Sequence, residues 1–333
     1  MPMRSIIDAP PVSALAQFQN NFGKRFLLTV DTEEEFDWAK PLSRNEYDLR
    51  HVVHIGRFQQ FCEGEGITPV YLIDWPIANS ELAVKILGPA LESGKAEVGI
   101  QLHPWVNPPF EEEVTQQNSF AGNLTPTLER SKFRLLRDMI ESRFGTAPVM
   151  YRAGRYGAGP NTSEILRSGG IAIDSSVRPK FNYRADGGPD YTAHPVAPYW
   201  LDDEHQLLEL PLTTVFSGLL RATADTIYPA FWRAPFLRGV FSRLGLMERI
   251  PLTPEGISAD EAIRAINLGI EDSLPLLVFS LHSPSLAPGH TPYVRNDADL
   301  DRLYEWFRLI FSHLRNNNVQ STSVRMIMEN VVR

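Results

Sequence analysis

"FLLTVDTEEEFDW", residues 26–38, carries five apolar or β-branched residues straight into Asp31, Glu33, Glu34, Glu35 and Asp37. A short apolar run of this kind reads as a strand buried on both faces. Ending it on a cluster of carboxylates leaves two readings. The cluster is a solvated loop, or one or two of its acids are delivered by the strand to a site of chemistry.

The same pattern recurs along the chain. "TPVYLID" (68–74) ends on Asp74, "AEVGIQL" (96–102) leads into His103, and "APVMYR" (147–152) ends on Arg152. "GGIAID" (169–174) ends on Asp174, "LLEL" spans 207–210, and "LPLLVFSLH" (274–282) ends on His282. Between these runs lie helical stripes. Val52, Ile55, Phe58 and Cys62 precede a "GEG" stop at 64–66, and a helix over 77–93 is expected to bend at Gly88-Pro89. Phe133, Leu136, Ile140 and Phe144 are stopped by Gly145. Shorter helices are expected near 161–168 and 258–269, and Leu300, Leu303, Phe307, Ile310 and Leu314 mark a helix over 298–314.

Strand–helix alternation predicts parallel strands joined by helical crossovers. Seven strands suffice for a closed or nearly closed barrel. The ionisable residues Asp31, Asp74, His103, Arg152, Asp174 and His282 fall at or just past strand C-termini, the rim on which β/α barrels build their active sites.

The net charge of −8 over 333 residues argues against a nucleic-acid-binding face. One cysteine, Cys62, excludes an internal disulfide framework, fits a reducing compartment, and sits at the spacing of a buried helix residue. No run approaches ~20 apolar residues, and the N-terminus lacks a 7–15-residue signal-type core; a soluble, cytoplasmic protein is expected. Residues 1–22 are expected to form a loose arm and 23–333 a single domain. An insertion near 215–256 contains "RATADTIYPAFWRAPFLRGVFSRLGLMERI", with five arginines and no lysine. It reads as a packed insertion or as a face for peripheral membrane contact.

Water attack on an amide or ester needs a carboxylate to take water's proton, an acid for the leaving group, and a positive charge or dipole for the oxyanion. Asp31, His282 and Arg152 are of these types, and Asp174 is of a type that could hold the second imidazole nitrogen.

The order of motifs resembles that of the polysaccharide deacetylase superfamily, the carbohydrate esterases with the NodB homology domain, and within it the WalW-like subgroup. The resemblance covers roughly residues 24–320. "LLTVDTEEEFDW" is similar to the first motif, with Asp31 at the base position, and "EVGIQLHPW" sits where the metal-binding histidines fall. "YRAGRYG" is similar to the third motif, in which Arg152 pairs with the base. "AIDSS" is similar to the fourth, with Asp174 orienting the acid, and "SLHSP" to the fifth, with His282 as acid. The resemblance implies a distorted (β/α)7 barrel and hydrolysis of an N-acyl bond in a carbohydrate or sugar-linked substrate.

Departures from the pattern bear on the metal. Thr32 follows Asp31 where the family has a ligating aspartate, and Gln101 and Trp105 stand at the two histidine positions. Asp31 or Glu33 with His103, and Asp74 as a third group, could still hold a divalent metal such as zinc. Glu33, Asp74, Trp105 and Tyr156 are candidate substrate contacts, with His290 and Arg295 in the 283–295 loop. Glu34, Glu35 and Asp37 read as loop solvation. Two alternatives stay open: a metal-independent C–N hydrolase of small amides or ureides, and a catalytically silent glycan-binding barrel.

Overall fold

The computed structural model describes residues 3–36, 40–228 and 236–333. Its first strand, β1 (Arg25–Thr32), is buried from Phe26 onward. Successive side chains of a strand point to opposite faces. Thr29 and Asp31 accordingly both meet the Arg152 side chain, on the same face of β1.

Parallel to β1 run β2 (Val70–Ile73), β3 (Glu97–Leu102), β4 (Tyr151–Ala153), β5 (Ile173–Asp174), β7 (Leu208–Glu209) and β10 (Leu276–His282), in the order β10-β1-β2-β3-β4-β5-β7. The antiparallel β6 (Tyr199–Trp200) extends the β7 edge, and β11 (Gln320–Ser321) adds to β1. All seven expected strands are present, and they belong to one curled sheet. Backbone bonds close the gap between β7 and β10. Leu210 N–H donates to Asp174 O, Leu212 N–H to Val177 O, and Thr213 N–H to Val278 O at 3.1 Å. The Thr213 hydroxyl accepts from Val278 N–H at 2.8 Å.

The helices pack outside. α1 (Val52–Glu65) buries Val52, Ile55, Phe58 and Cys62 and ends at Gly66, whose φ of 72° suits a residue without Cβ. The region expected as one helix bent at Gly88-Pro89 is instead α2 (Trp75–Ala78) and α3 (Glu81–Glu92), with Pro89 inside α3. The break falls at Asn79–Ser80 because Ser80 caps α3, accepting from Ala83 N–H. α4 (Pro126–Phe144), α5 (Thr162–Ser168), α8 (Ala259–Glu271) and α9 (Asp297–Asn316) fall where the stripes place them.

The N-terminal arm is not loose over its described residues. Ile6 and Phe22 are buried, Arg4 N–H donates to Leu201 O, and isolated bridges tie Leu15 to Tyr199 and Phe18 to Val331. In the insertion, β8 (Thr214–Ser217) pairs antiparallel with β9 (Glu248–Pro251), flanked by α6 (Ala224–Ile227) and α7 (Phe236–Arg243). Arg221 pairs with Asp272, and the Arg249 guanidinium lies 3.5 Å from the Phe181 ring centroid. These arginines hold the insertion together and against its neighbours; Trp232 and Arg233 of the same stretch lie outside the described residues. No helix among the described residues is long and apolar enough to cross a membrane.

Candidate active site

The pairing of β1 with β10 sets Asp31 opposite His282. Further round the sheet Gln101 is opposite Arg152, and Asp174 is opposite Glu209. Parallel register thus gathers the polar strand ends at one rim. A cavity of about 400 Å³ opens there, lined among others by Asp31, Glu33, Gln101, His103, Arg152, Tyr156, Glu255 and His282.

Arg152 is wholly buried. Its Nη1 donates to Oδ1 of Asp31, its Nη2 to the hydroxyls of Thr29 and Ser175, both at 3.0 Å, and its Nε to Ser175 O at 3.0 Å. The guanidinium gives the buried Asp31 carboxylate an opposite charge and a hydrogen-bond donor. The second oxygen of Asp31, Oδ2, stands 3.7 Å from Nε2 of His282, too far for a hydrogen bond between them.

The other His282 nitrogen overturns an expectation. Nδ1 is 2.6 Å from Oε2 of Glu255, whose other oxygen accepts from Ser285 Oγ at 2.5 Å. Asp174 does not orient this ring. It accepts from Ser176 Oγ and Ser176 N–H and shares a buried position with Glu209, where burial holds both acids above the ordinary carboxylate range. Burial alone would strip the proton from His282. The charge of Glu255, then that of Glu33 and Asp31, outweighs it and raises the imidazole to about 10. Burial likewise works against ionised Glu255, but the His282 charge and the bonds from His282 and Ser285 hold it below its ordinary value.

The loop after β1 also differs from expectation. Glu34 and Glu35 are buried, not solvated. Glu34 accepts from Trp105 Nε1 at 2.9 Å, lies 2.8 Å from His103 Nδ1, and its N–H donates to Asp74. Glu35 lies 2.8 Å from His51 Nδ1 and 2.7 Å from His290 Nδ1. Asp37 lies outside the described residues. Burial raises Glu34 to about 7 and Asp74 well above its usual range. Of the expected substrate contacts, Glu33 and Tyr156 line the cavity. Asp74 and Trp105 do not, because Asp74 caps α2 through Ile77 N–H and Trp105 stacks behind His103 at 4.4 Å. His290 lines the cavity as expected, whereas Arg295 pairs with Asp299 at the start of α9.

The expected metal set of Asp31, Glu33 and His103, with Asp74, is not gathered as such. Asp31 is committed to Arg152. Glu34, Asp74 and His103 do offer ligand atoms within 4.8 Å of one another. They use those atoms mainly for hydrogen bonds to each other, to Trp105 and to Ile77. A different trio faces the cavity. Glu33 Oε2 is 3.4 Å from His103 Nε2 and 3.3 Å from the Gln101 amide nitrogen, which is 3.4 Å from His103 Nε2. Gln101 Oε1 is buried without a partner, and a half-turn of the amide exchanges it with the nitrogen. Glu33 and His103 are side chains of the types that hold a divalent ion, and Gln101 would add an amide oxygen beside them. Sequence reasoning offered Glu33 and His103 and placed Gln101 at a histidine position without making it a ligand; it missed Glu255, for which the sequence carries no local signal.

No protein-family model matches the sequence, and no curated protein sequence matches it. Solved structures do. A provisionally assigned polysaccharide deacetylase from Mycobacterium smegmatis superimposes with a TM-score of 0.50 at 16% identity, covering 95% of this chain and 98% of that one. A protein from Pseudomonas aeruginosa with a similar assignment gives 0.48 at 13% identity, covering 93% of each chain. The chain has the polysaccharide deacetylase fold, a distorted (β/α)7 barrel.

Proposed function

We propose that this protein is a hydrolase of carbon–nitrogen bonds other than peptide bonds, removing an acyl group from an N-acylated carbohydrate. One observation carries the reading. Asp31 and His282, paired in register on adjacent strands, present Oδ2 and Nε2 to the same cavity 3.7 Å apart, each held from behind by an opposite charge.

Asp31 Oδ2 takes a proton from water positioned over it, and the water oxygen attacks the amide carbon. Arg152 holds the Asp31 carboxylate from behind through its Nη1 donor. His282, protonated at neutral pH through Glu255, gives its Nε2 proton to the departing amine. Glu33, Gln101 and His103 would hold a divalent metal, which when bound supplies Lewis-acid polarisation of the acyl oxygen. The carbohydrate assignment is supported by the shared fold and by the aromatic walls of the cavity, where Tyr156 and Tyr183 stack at 5.8 Å.

The test is amine release from a panel of N-acetylated oligosaccharides and sugar nucleotides, with and without added zinc. Activity lost by at least 100-fold in Asp31→Asn and His282→Ala supports the assignment, on the scale of acid–base contributions. A wild type inert on the whole panel, or a fully active Asp31→Asn, ends it.

A further inference from the structure

Besides Arg152, two further arginines line the cavity, Arg155 and Arg178, and the chemistry above uses neither. The Arg178 guanidinium carbon lies 3.9 Å from the Phe181 centroid and 5.0 Å from that of Tyr156. Its Nη1 donates to the Tyr183 hydroxyl at 3.3 Å. A guanidinium has five N–H donors in a fixed fork, and among the described residues that of Arg178 makes only this one hydrogen bond. Glu255 is the acid whose charge reaches Arg178, but it stands beyond ion-pair distance and is bonded to His282 and Ser285.

Arg155 is brought to the same cavity by unusual backbone. Arg155 and Tyr156 both have left-handed φ, 56° and 59°. Neither is a glycine, and strain of this kind persists where the surrounding structure enforces it, often at ligand sites. The Arg155 guanidinium stacks 4.5 Å from the Phe120 centroid and donates to Ser119 Oγ. Exposed Asp186 faces it, also beyond ion-pair distance. Both arginines and Tyr183 line the cavity. Among the described residues, then, two guanidiniums reach the substrate space without a carboxylate partner. A partly buried cation without a counter-ion is costly unless a ligand supplies one.

We infer that Arg178 and Arg155 form a subsite for an anionic group of the substrate, so that the molecule taken up is an acidic N-acyl sugar bearing a carboxylate or a phosphate. This rests on the cavity being the substrate site proposed above. The carboxylates around Asp31 repel an anion and the arginines attract it, which fixes the end of the substrate presented to the base.

The experiment measures binding by calorimetry to the purified full chain. The probes are N-acetylglucosamine, its 6-phosphate, N-acetylmuramic acid, and two anions without an acyl group, inorganic phosphate and glucuronate. The acidic sugars are expected to bind on the order of 10- to 100-fold tighter than the neutral one, as for hydrogen bonds to charged groups. The preference should shrink as salt rises and collapse in Arg178→Met and Arg155→Met. Methionine keeps the packing on the rings, and Arg178→Lys, which keeps the charge without the fork, should retain an intermediate preference. Phosphate preference over carboxylate, or the reverse, identifies the anion. If only phosphate and glucuronate bind, and Arg178→Met abolishes it, the subsite stands while the N-acyl sugar reading falls. Equal binding of neutral and acidic sugars, a preference that survives in folded Arg178→Met, or no binding of any anionic probe overturns the subsite.

Discussion

Glu255→Gln isolates the pair on which the acid step depends. Glutamine keeps the shape and one acceptor oxygen for Nδ1, 2.6 Å away, but removes the charge. In the wild type the imidazole is raised from 6.5 to about 10, with Glu255 as the largest raising influence and Glu33 and Asp31 behind it. A nearby opposite charge shifts a pKa by about 1–3 units. The His282 titration should therefore fall by that amount in Glu255→Gln, toward neutrality. Two-dimensional NMR of the imidazole protons measures this directly and needs no substrate. In turnover assays the alkaline limb of kcat/KM should move down by the same interval, because the protonated ring is the competent acid. Stability follows with a definite sign. A histidine whose folded pKa is raised contributes stability fully present below about 6.5 and lost as the pH climbs through about 10. The variant should lose most of that contribution near neutral pH and differ little from wild type above pH 10. If the wild-type ring titrates near 6.5, or if its titration stays put in Glu255→Gln, the reasoning is wrong.

Three further outcomes follow from the same geometry. Arg152→Met leaves Asp31 and the buried Asp174–Glu209 pair without their cation, so chemical denaturation should show a loss of about 3–5 kcal/mol; the loss should be smaller at pH 5 than at pH 8, since protonation relieves uncompensated acids, and an equal loss at both would contradict this. Cobalt(II) added to the metal-free protein should give visible absorption of tetrahedral type that is abolished in His103→Ala and weakened in Gln101→Leu; a spectrum unchanged in both variants would move the metal elsewhere. Trp105→Phe removes the indole donor from buried Glu34 and should cost about 1–3 kcal/mol, with metal affinity reduced about 10–100-fold through His103; wild-type affinity in this variant would show that the layer behind the histidine has no influence on it.

The seven parallel strands were legible because each is a short apolar run ending in polar residues, and period and composition report local structure directly. Boundaries were less so. The fourth run was expected from 147, and β4 is bounded at Tyr151, although Val149 N–H already donates to Val98 O and Met150 O accepts from Ile100 N–H; Pro148, ahead of them, has no N–H to give to a ladder. Asp31, Arg152 and His282 were legible from strand ends and motif order. Glu255 was not, because its partner is 27 residues away across the edge of the insertion, and a glutamate in a Pro/Gly loop carries no mark of where it docks. Glu34 and Glu35 read as solvent-facing for the same reason. What buries them are His103, Trp105, His51 and His290, brought from other strands, helices and loops.

That burial explains why one short loop carries so many acids. Each described carboxylate is assigned to a different partner: Asp31 to Arg152, Glu33 to the cavity, Glu34 to His103 and Trp105, and Glu35 to His51 and His290. Glu34 decides how His103 presents itself. An indole N–H can only donate, so Oε1 of Glu34 is an acceptor toward Trp105. Burial holds Asp74, beside it, well above its ordinary range and raises Glu34 to about 7; when Glu34 is ionised, its Oε2 is free to accept as well. His103 must then donate from Nδ1, which puts the lone pair on Nε2, toward Glu33 and Gln101. Were Glu34 merely a solvated loop residue, either tautomer would serve, and the cavity would have no reason to prefer a ligand over a donor at that corner. The buried acid costs stability and returns a fixed direction for one nitrogen, a trade that a surface loop has no cause to make.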